Sequence, residues 1–596
     1  MPSEKKPQPP SPKPKPRISP KLGLTFVSLS ILLFSAFRHW HREEEYIICS
    51  KSNNIYTVDA SGSKPRVECI GVRGEEILEV GGLADVTSKF ESTSSGWSWI
   101  DNLGLPSLVT SIIHTHLKPK ITPKYIDPAY ILVPGLSDAH AHIIENGFKS
   151  QLSLDTASSI DEIVSLVKAY ILARPGLSED EWIEGMGWNQ ERWTGEEARF
   201  PTAADLSASR DPILKNRLIA LRRVDGHATW VSPRVLEITP TTKDDEVEGG
   251  VIVRDDEGKA TGVFLDNAIN LIPLPTWSDA KLEEYFDITM AQALQYGLTS
   301  VHDADTLPHM REFFVKQAEA GKIPIRLYIM LNGHSEAPKN GQLTNYGKHG
   351  RLTMRAIKLY TDGALGSWGA ALLEPYTDNP STRGIMRNTK EEMKELVRRY
   401  WEEGWQVNIH CIGDRANHVV LDVWEGILHN NTHNDDTRLS NTRPRIEHAQ
   451  IMTQGDLARA GDLGDRIKGA YAYKTQLHNS PQHVLPLGSD FPVEGVNPLL
   501  GFYAAVSRLS PDGSSPHGDG GWYPSERLTR AEALKGMTLD AAYASFTENT
   551  HGSLEAGKKA EFVVLDRDIM TVPFREILET KVRATVVDGK VVYGGI

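Results

Sequence analysis

The chain has 596 residues and a mass of 66.1 kDa, with 40% hydrophobic and 24% charged residues. This length is too great for one small core and suits a large α/β domain with a smaller second one. The net charge of −13 at pH 7 excludes a basic face large enough for nucleic acid. Three cysteines provide neither a disulfide framework nor a cysteine-based zinc pattern.

The N-terminal part contains a Pro- and Lys-rich stretch followed by an apolar one. Residues 1–21 predict a disordered or polyproline-like tail. Residues 22–40 predict a transmembrane signal anchor, of which 22–37 would lie in the membrane. A cleaved signal peptide and a buried N-terminal extension are the alternatives. Basic residues precede the apolar run and Glu43–Glu45 follow it, so a single-pass protein would have its catalytic domain lumenal or extracellular. In an oxidising lumen Cys49 and Cys69 can pair.

The next stretch and the C-terminal end share a pattern of short strands. Apolar runs such as Tyr46–Cys49 and Glu561–Leu565 are bounded by turn residues, and an Asp588-Gly589 pair predicts a hairpin. Strands at both ends of the chain predict one composite β-sandwich built from residues 43–133 and 541–596.

The middle, residues 134–540, alternates apolar runs with helical periods, which predicts parallel strands and a closed α/β barrel. Such barrels hold their chemistry at the carboxyl ends of the strands, and the candidate ligands named below fall at or near strand ends. The candidate strands are 182–188, 298–302, 325–330, 354–360, 406–410, 443–448 and 484–490. The candidate helices are 160–172, 279–296, 310–320, 390–403, 416–428 and 456–463.

His140 and His142 end the first apolar run of this middle part. Alternate residues of a strand point the same way, so both imidazoles can face one point, as a shared metal ion requires. Two solvated histidines on a surface strand are the alternative reading. Further candidate ligands at strand ends favour the metal site; they are Lys358, His410, His448 and Asp490.

These six side chains can hold one or two divalent metals, and imidazole with carboxylate suits Zn²⁺. Lys358 lies in an apolar strand, where a plain ammonium is costly; a carbamate formed with CO₂ would be an anionic ligand able to bridge two metals. A lysine that reaches solvent or pairs with Asp362 is the alternative. Asp490 can act as the catalytic base, because a metal brings the pKa of its water towards roughly 7.

The sequence resembles the amidohydrolase superfamily and, within it, the amidohydrolase-3 branch that includes N-substituted formamide deformylases. The resemblance runs from about Tyr46 to Gly595. The motifs that carry it are Pro134-Gly-Leu-Ser-Asp-Ala-His-Ala-His142, Gly187–Trp193, Asp225–Trp230, Gly297–Asp303, Lys358–Ser367, His410–Ala416, Arg445–Gln450 and Ser489–Glu494.

The resemblance implies a distorted (β/α)₈ barrel that hydrolyses a non-peptide C–N bond of a small-molecule amide. It also implies that His140 and His142 bind one metal, His410 and His448 bind the other, and carbamylated Lys358 bridges them. Asp490 would bind metal and serve as the base.

Other motif residues are candidates for substrate binding. Trp188 and Trp193 can wall an apolar pocket, although tryptophans are often simply core. Polar candidates that can orient a substrate group are Arg223, Asp225, His227, Asp303 and Asp362.

One departure from the barrel plan lies between His448 and Asp490. The chain passes from one helix to the next near 464–465, where a seventh strand is expected, so roughly twenty residues are missing from the strand–helix repeat. A metal-binding pseudoenzyme on the same fold, inactivated by this deletion, is therefore the alternative function. A homo-oligomer stays an open alternative.

Overall fold

The computed structural model describes residues 44–93, 121–193, 199–241, 246–334, 341–428, 435–462, 471–480, 482–515 and 518–596. Residues 46–596 form one compact unit. The strands are β1 (Glu45–Cys49), β2 (Ile55–Tyr56), β3 (Arg66–Val67), β4 (Cys69–Arg73), β5 (Glu76–Gly81), β6 (Lys124–Tyr125), β7 (Ile131–Pro134), β8 (Leu136–Ala141), β9 (Trp182–Trp188), β10 (Leu218–Arg223), β11 (Ala228–Val231), β12 (Gly250–Arg254), β13 (Ala260–Asp266), β14 (Leu298–Thr306), β15 (Arg326–Asn332), β16 (Leu343–Tyr346), β17 (Leu352–Tyr360), β18 (Gln406–Cys411), β19 (Arg445–His448), β20 (Phe562–Leu565), β21 (Val582–Val587) and β22 (Lys590–Gly594).

The helices lie mostly between the strands of the middle part. They are α1 (Leu83–Thr93), α2 (Ile143–Lys149), α3 (Ile160–Leu172), α4 (Pro233–Ile238), α5 (Asp279–Gln295), α6 (Pro308–Ala320), α7 (Lys390–Glu402), α8 (Asp414–Leu428), α9 (Asp435–Thr442), α10 (Gln454–Asp462), α11 (Tyr473–Asn479), α12 (Pro498–Ser507), α13 (Arg530–Gly536), α14 (Leu539–Ala544) and α15 (Phe574–Ile577). Several begin at a side-chain cap: Ser159 accepts from the Glu162 amide, and Thr389 with Glu392 forms a capping box.

Strands from both ends of the chain pack together in two sheets. One sheet has the order β5-β4-β1-β6, and the other has the order β22-β21-β20-β7-β2-β3. Their shared apolar core includes Ile48, Val72, Leu132, Phe562 and Val586. A disulfide joins Cys49 of β1 to Cys69 at the start of β4.

The central sheet is a nearly closed parallel barrel. Its six parallel strands follow the order β19-β18-β17-β15-β14-β8, with β16 added antiparallel to β17. Beyond β8, residues 485–491 run alongside in extended form: Ala139 N donates to Leu487 O at 3.1 Å and Asp490 N donates to His140 O at 2.7 Å. Buried helix faces such as Phe286 and Phe313 cover the outside of the sheet.

The prediction of a closed eight-stranded barrel is wrong for the described residues. Within the described residues, six parallel strands and the segment 485–491 form the barrel wall, and no strand lies between β19 and that segment. The proposed deletion point near 464–465 falls in residues 463–470, which lie outside the described residues.

The prediction of a transmembrane helix is also contradicted. Among the helices that the structure describes, none combines the length and the apolar character needed to cross a bilayer. The tail 1–21 and the predicted span 22–40 themselves lie outside the described residues. The single-pass membrane placement, with a lumenal or extracellular catalytic domain, rested on that helix and is corrected with it.

A separate five-stranded sheet is inserted between the first two barrel strands, with the order β12-β13-β11-β10-β9. Its core contains Trp188, Trp230 and Leu221. This insertion places the loop after β10 and the end of β13 over the barrel mouth.

Candidate metal centre

His140 and His142 lie at the carboxyl end of β8, where the strand passes into α2. Their ring centroids are 5.7 Å apart. His140 is 7% exposed, so its imidazole has been withdrawn from solvent. The alternation of a β-strand therefore directs both rings into the barrel, as the His-x-His spacing predicts.

Asp490 is delivered to these histidines by the extended segment that follows β8. Its Oδ1 lies 3.1 Å from His142 Nε2 and 3.4 Å from His140 Nε2. Buried Asp138 fixes the segment, because it accepts hydrogen bonds from the Ser489 amide and hydroxyl. Gly488 permits the approach, since a Cβ there would lie 2.5 Å from His140 N. Residues 350 positions apart are thus held in one site.

Lys358 enters the same space from β17. Its side chain is 1% exposed, and Nζ lies 3.2 Å from His140 Nε2. Among the described residues it forms no ion pair with a carboxylate, Asp362 included. Burial is the main reason that the pKa of Lys358 is lowered from its ordinary value.

His410 on β18 and His448 on β19 complete the group. Their ring centroids are 4.5 Å apart, and the His448 ring lies 4.9 Å from the His140 ring. Burial lowers the pKa of His448 to about 3 and lowers the pKa of His410 well below its ordinary value. Both imidazoles are therefore neutral near pH 7, which is the form that binds metal.

The charges at His142 and Asp490 are set by their mutual contact. Burial acts to lower the pKa of His142, but Asp490 raises it to about 9. Burial acts to raise the pKa of Asp490, but His140 and His142 hold that pKa below its usual range. Asp490 is consequently ionised across the neutral range and available as an anionic ligand.

Glu447 also contacts this group of side chains and is not among the candidate residues predicted from the sequence. Its Oε2 lies 2.5 Å from His140 Nδ1 and accepts a hydrogen bond from Arg445 at 2.9 Å. A carboxylate on Nδ1 fixes the tautomer of a ligating imidazole and directs Nε2 to the metal. Its position beside His448 in the Arg445–Gln450 motif was the available signal.

A cavity of about 1190 Å³ opens above these residues. His227 faces into it, with its ring centroid 5.0 Å from that of His410. Asp266 Oδ1 lies 2.7 Å from His227 Nδ1 and so leaves Nε2 for the cavity. Apolar residues also line the cavity; they include Leu271, Ile272, Leu274, Trp277 and Met310.

The other predicted substrate-side residues divide into two groups. Asp225 joins His227 in the cavity lining. Arg223 is 2% exposed and is engaged with Gln190, Asn189 and Asp225. Trp188 and Trp193 are buried in the core of the inserted sheet.

Asp303 and Asp362 are buried beneath the cavity and act on the backbone. Asp303 accepts from Ile143 N at 2.7 Å. Asp362 accepts from the amides of Ala371, Ile412 and Gly413 and lies 3.5 Å from His410 Nε2. Burial raises the pKa of each carboxyl to about 7. Both hold loops in place around the ligand group.

The side chains fit a divalent metal. Ligand atoms of His140, His142 and Asp490 lie within 4.8 Å of one another. Asp490 Oδ1 is buried and has no hydrogen-bond partner among the described residues, although two imidazole nitrogens face it. Two imidazole nitrogens and a carboxylate oxygen that converge in this way are the arrangement expected of ligands that share an ion.

The sequence of the chain is similar to those of several known proteins. A family model described as "Amidohydrolase family" matches residues 130–593. The chain is 30% identical to YtcJ of Bacillus subtilis over 497 residues, covering 78% of this chain and 89% of YtcJ. It is 27% identical to N-substituted formamide deformylase of Arthrobacter pascens over 502 residues, covering 78% of this chain and 88% of that protein.

A solved structure shares the fold. The crystal structure of an uncharacterized metal-dependent hydrolase from Pyrococcus furiosus matches with a TM-score of 0.61 and 23% sequence identity. The match covers 89% of this chain and 100% of that chain. The nearly closed barrel with its sandwich is therefore a fold found in hydrolases.

Proposed function

The chain belongs to the amidohydrolase family, in its amidohydrolase-3 branch, and from this premise we propose that it is a hydrolase that uses bound divalent metal to cleave a non-peptide C–N bond. The substrate would be a small-molecule amide or an N-substituted formamide. One observation carries the proposal: His140 and His142, which are neighbours at the end of β8, meet Asp490 from about 350 positions later, with their ligand atoms within 4.8 Å of one another.

His140, His142 and Asp490 would hold one ion, with Lys358, His410 and His448 placed to hold a second. Zn²⁺ suits this set of nitrogen and oxygen ligands. When bound, such an ion supplies Lewis-acid chemistry, which polarises a carbonyl and makes water nucleophilic near neutral pH. Lys358, buried without a carboxylate partner, is suited to carbamylation and would then present oxygen ligands to both positions.

The chain's own residues account for the movement of the proton. Asp490 would take the proton from the attacking water on its carboxylate and pass it to the leaving nitrogen, which departs as an amine. Asp490 is ionised near neutral pH and is therefore ready to act as a base. His227 Nδ1 donates to Asp266, so Nε2 of the neutral ring would accept a hydrogen bond from the substrate beside His410.

Metal analysis combined with an amide panel tests the proposal. We expect the full chain to contain one or two zinc ions and to hydrolyse at least one N-substituted formamide or linear amide. Asp490→Asn should lower kcat by about 100-fold or more, the usual range for loss of a general base. Asp512→Asn, in an exposed loop, is the matched control and should leave kcat unchanged.

Metal binding without turnover on any amide would contradict the hydrolase proposal. It would favour the alternative of a metal-binding pseudoenzyme, to which the opening between β19 and residues 485–491 gives a structural basis. Restoring about twenty residues in the helix–helix connection, to supply the missing repeat unit, would then be expected to restore turnover.

A further inference from the structure

The cavity contains the guanidinium of Arg387, which forms no hydrogen bond or ion pair with the candidate metal ligands among the described residues. Arg387 lines the cavity together with His227, Tyr360 and the candidate ligands. It forms no ion pair with any carboxylate among the described residues. A cation in a catalytic cavity that lacks a protein counter-charge is suited to an anionic group of a ligand.

Arg387 is held in place before any ligand arrives. Its backbone N donates to Thr361 O at 2.8 Å, and its Nε donates to Asn267 Oδ1 at 3.0 Å. Its Cζ lies 4.6 Å from the centroid of the Tyr360 ring. These contacts fix the plane of the guanidinium and leave its two terminal nitrogens without a hydrogen-bond partner in the described part of the chain. Little conformational entropy is then lost when a ligand binds.

The metal site and this cation share one aromatic ring. Lys358 Nζ lies 5.0 Å from the centroid of the Tyr360 ring, and Arg387 Cζ lies 4.6 Å from the same centroid. The Tyr360 ring also lies 5.4 Å from the His410 ring. A substrate whose amide reaches the ligand group can therefore reach Arg387 only with a group a few bonds away from that amide.

The neighbouring acids limit what kind of anion fits. Asp305 lies close enough for Arg387 to influence its pKa, yet Asn332 Nδ2 donates to Asp305 at 2.6 Å and no ion pair joins Asp305 to Arg387. Asp266 is the partner of His227. A doubly charged phosphate would be repelled by these carboxylates, whereas a single carboxylate matches the planar fork of one arginine.

The second arginine that lines the cavity, Arg222, is not suited to bind an anionic ligand. Arg222 packs against the rings of Phe148 and Trp277, with Cζ–centroid distances of 4.9 and 5.3 Å. Its charge also acts on buried Glu184, whose pKa it lowers against the larger effect of burial. Arg222 is thus the counter-charge of a buried acid.

We propose that Arg387 binds a carboxylate of the substrate, so that the hydrolase acts on N-acyl compounds that carry a carboxylate near the scissile amide. This inference rests on the proposed hydrolase function and names the substrate class of the same site. The apolar wall formed by Leu271, Ile272 and Trp277 would receive the side chain of such a compound.

A pair of substrates that differ only in the carboxylate tests the proposal. The probes are N-formylphenylalanine and N-formylphenethylamine, assayed with the metal-loaded full chain. We expect wild type to prefer the acid. Arg387→Gln should raise KM for the acid by about 10- to 100-fold, the value of a hydrogen bond to a charged group, with little change in kcat. KM for the neutral formamide should be unchanged, and Arg387→Lys should recover part of the loss.

The controls separate this inference from the function on which it rests. Arg399→Gln, on the exposed face of α7, should behave as wild type towards both probes. Calorimetric binding of 3-phenylpropionate to wild type and to Arg387→Gln reports on the carboxylate site without turnover. Weaker binding by Arg387→Gln would support the inference even if neither formamide were hydrolysed. Equal binding, or an unchanged preference for the acid in Arg387→Gln, would overturn it.

Discussion

His140 Nδ1 and Glu447 Oε2 lie 2.5 Å apart and join β8 to β19, the two strands at opposite edges of the parallel sheet. Arg445 Nη2 also donates to Ala139 O at 2.7 Å across the same opening. Side chains thus connect the two edges where the described residues contain no strand between them. The contact both holds the barrel together and orients a candidate ligand.

Glu447→Gln should weaken metal binding. The amide cannot hold the His140 imidazole as a carboxylate does, and loss of such a partner typically costs about 10- to 100-fold in affinity. Competition with a chromophoric zinc chelator measures the change. Glu391→Gln, on the exposed side of α7, should retain the wild-type affinity. An unchanged affinity in Glu447→Gln would show that His140 needs no orienting partner.

Lys358 should carry one molecule of CO₂ when the protein is loaded with metal. Its burial and lowered pKa favour the neutral amine that reacts with CO₂. Refolding or metal loading in ¹³C-bicarbonate should give one carbamate carbon signal, which Lys358→Ala lacks. Lys358→Ala should also bind less metal per chain. A protein that binds its full metal content with no labelled carbon would rule out the carbamate.

The Cys49–Cys69 disulfide should stabilise the sandwich. The two cysteines are 20 positions apart, and closing a loop of that length reduces the entropy of the unfolded chain by an amount worth roughly 3 kcal/mol. Thiol titration under denaturing conditions should find one free thiol, that of Cys411, and three after reduction. Cys49→Ser with Cys69→Ser should lower Tm. Three thiols before reduction would contradict the pairing.

Acidification should destabilise the protein in part through His551. Burial lowers the pKa of His551 to about 3, against an ordinary value of 6.5. Because the unfolded chain takes up this proton first, the contribution is complete above pH 6.5 and is lost as the pH falls towards 3. Between pH 7 and 4.5 the loss amounts to roughly 2 kcal/mol.

Denaturant unfolding of His551→Gln at these two pH values measures this contribution. The variant should lose less stability on acidification than wild type does. His349→Gln removes an exposed histidine and should keep the wild-type dependence on pH. Equal losses in wild type and His551→Gln would assign the acid sensitivity to other groups.

Much of the barrel could be predicted from periodicity. Residues 160–172 were predicted as a helix and form α3, and residues 182–188 were predicted as a strand and form β9. A strong helical pattern with a recognisable beginning allows this, because the capping Ser159 marks where α3 starts. Residues 484–490 were predicted as a strand; the segment hydrogen-bonds to β8 but does not form a regular strand. The resemblance to the amidohydrolase-3 branch is confirmed by the family match.

The contacts around the ligands could not be predicted in the same way. His140 and Glu447 are 307 positions apart, and no local pattern reports which carboxylate reaches Nδ1. Trp188 belongs to a motif near the site, yet its ring packs against Trp230 in a separate core. Arg387 lies just before α7 and belongs to none of the motifs quoted from the sequence. Such pairings depend on how the inserted sheet covers the barrel mouth.

The β-sandwich can be completed only late in synthesis, because one of its strands comes from the C-terminal end of the chain. Strand β7 ends directly before the first barrel strand, yet its neighbour β20 is translated more than 400 residues later. Until the ribosome releases that late strand, Val133 lacks its pairing partner Val563. An apolar strand edge then stays unpaired beside the growing barrel. Loss of even the last few dozen residues would therefore damage the support beneath the strand that bears the first two metal-binding histidines.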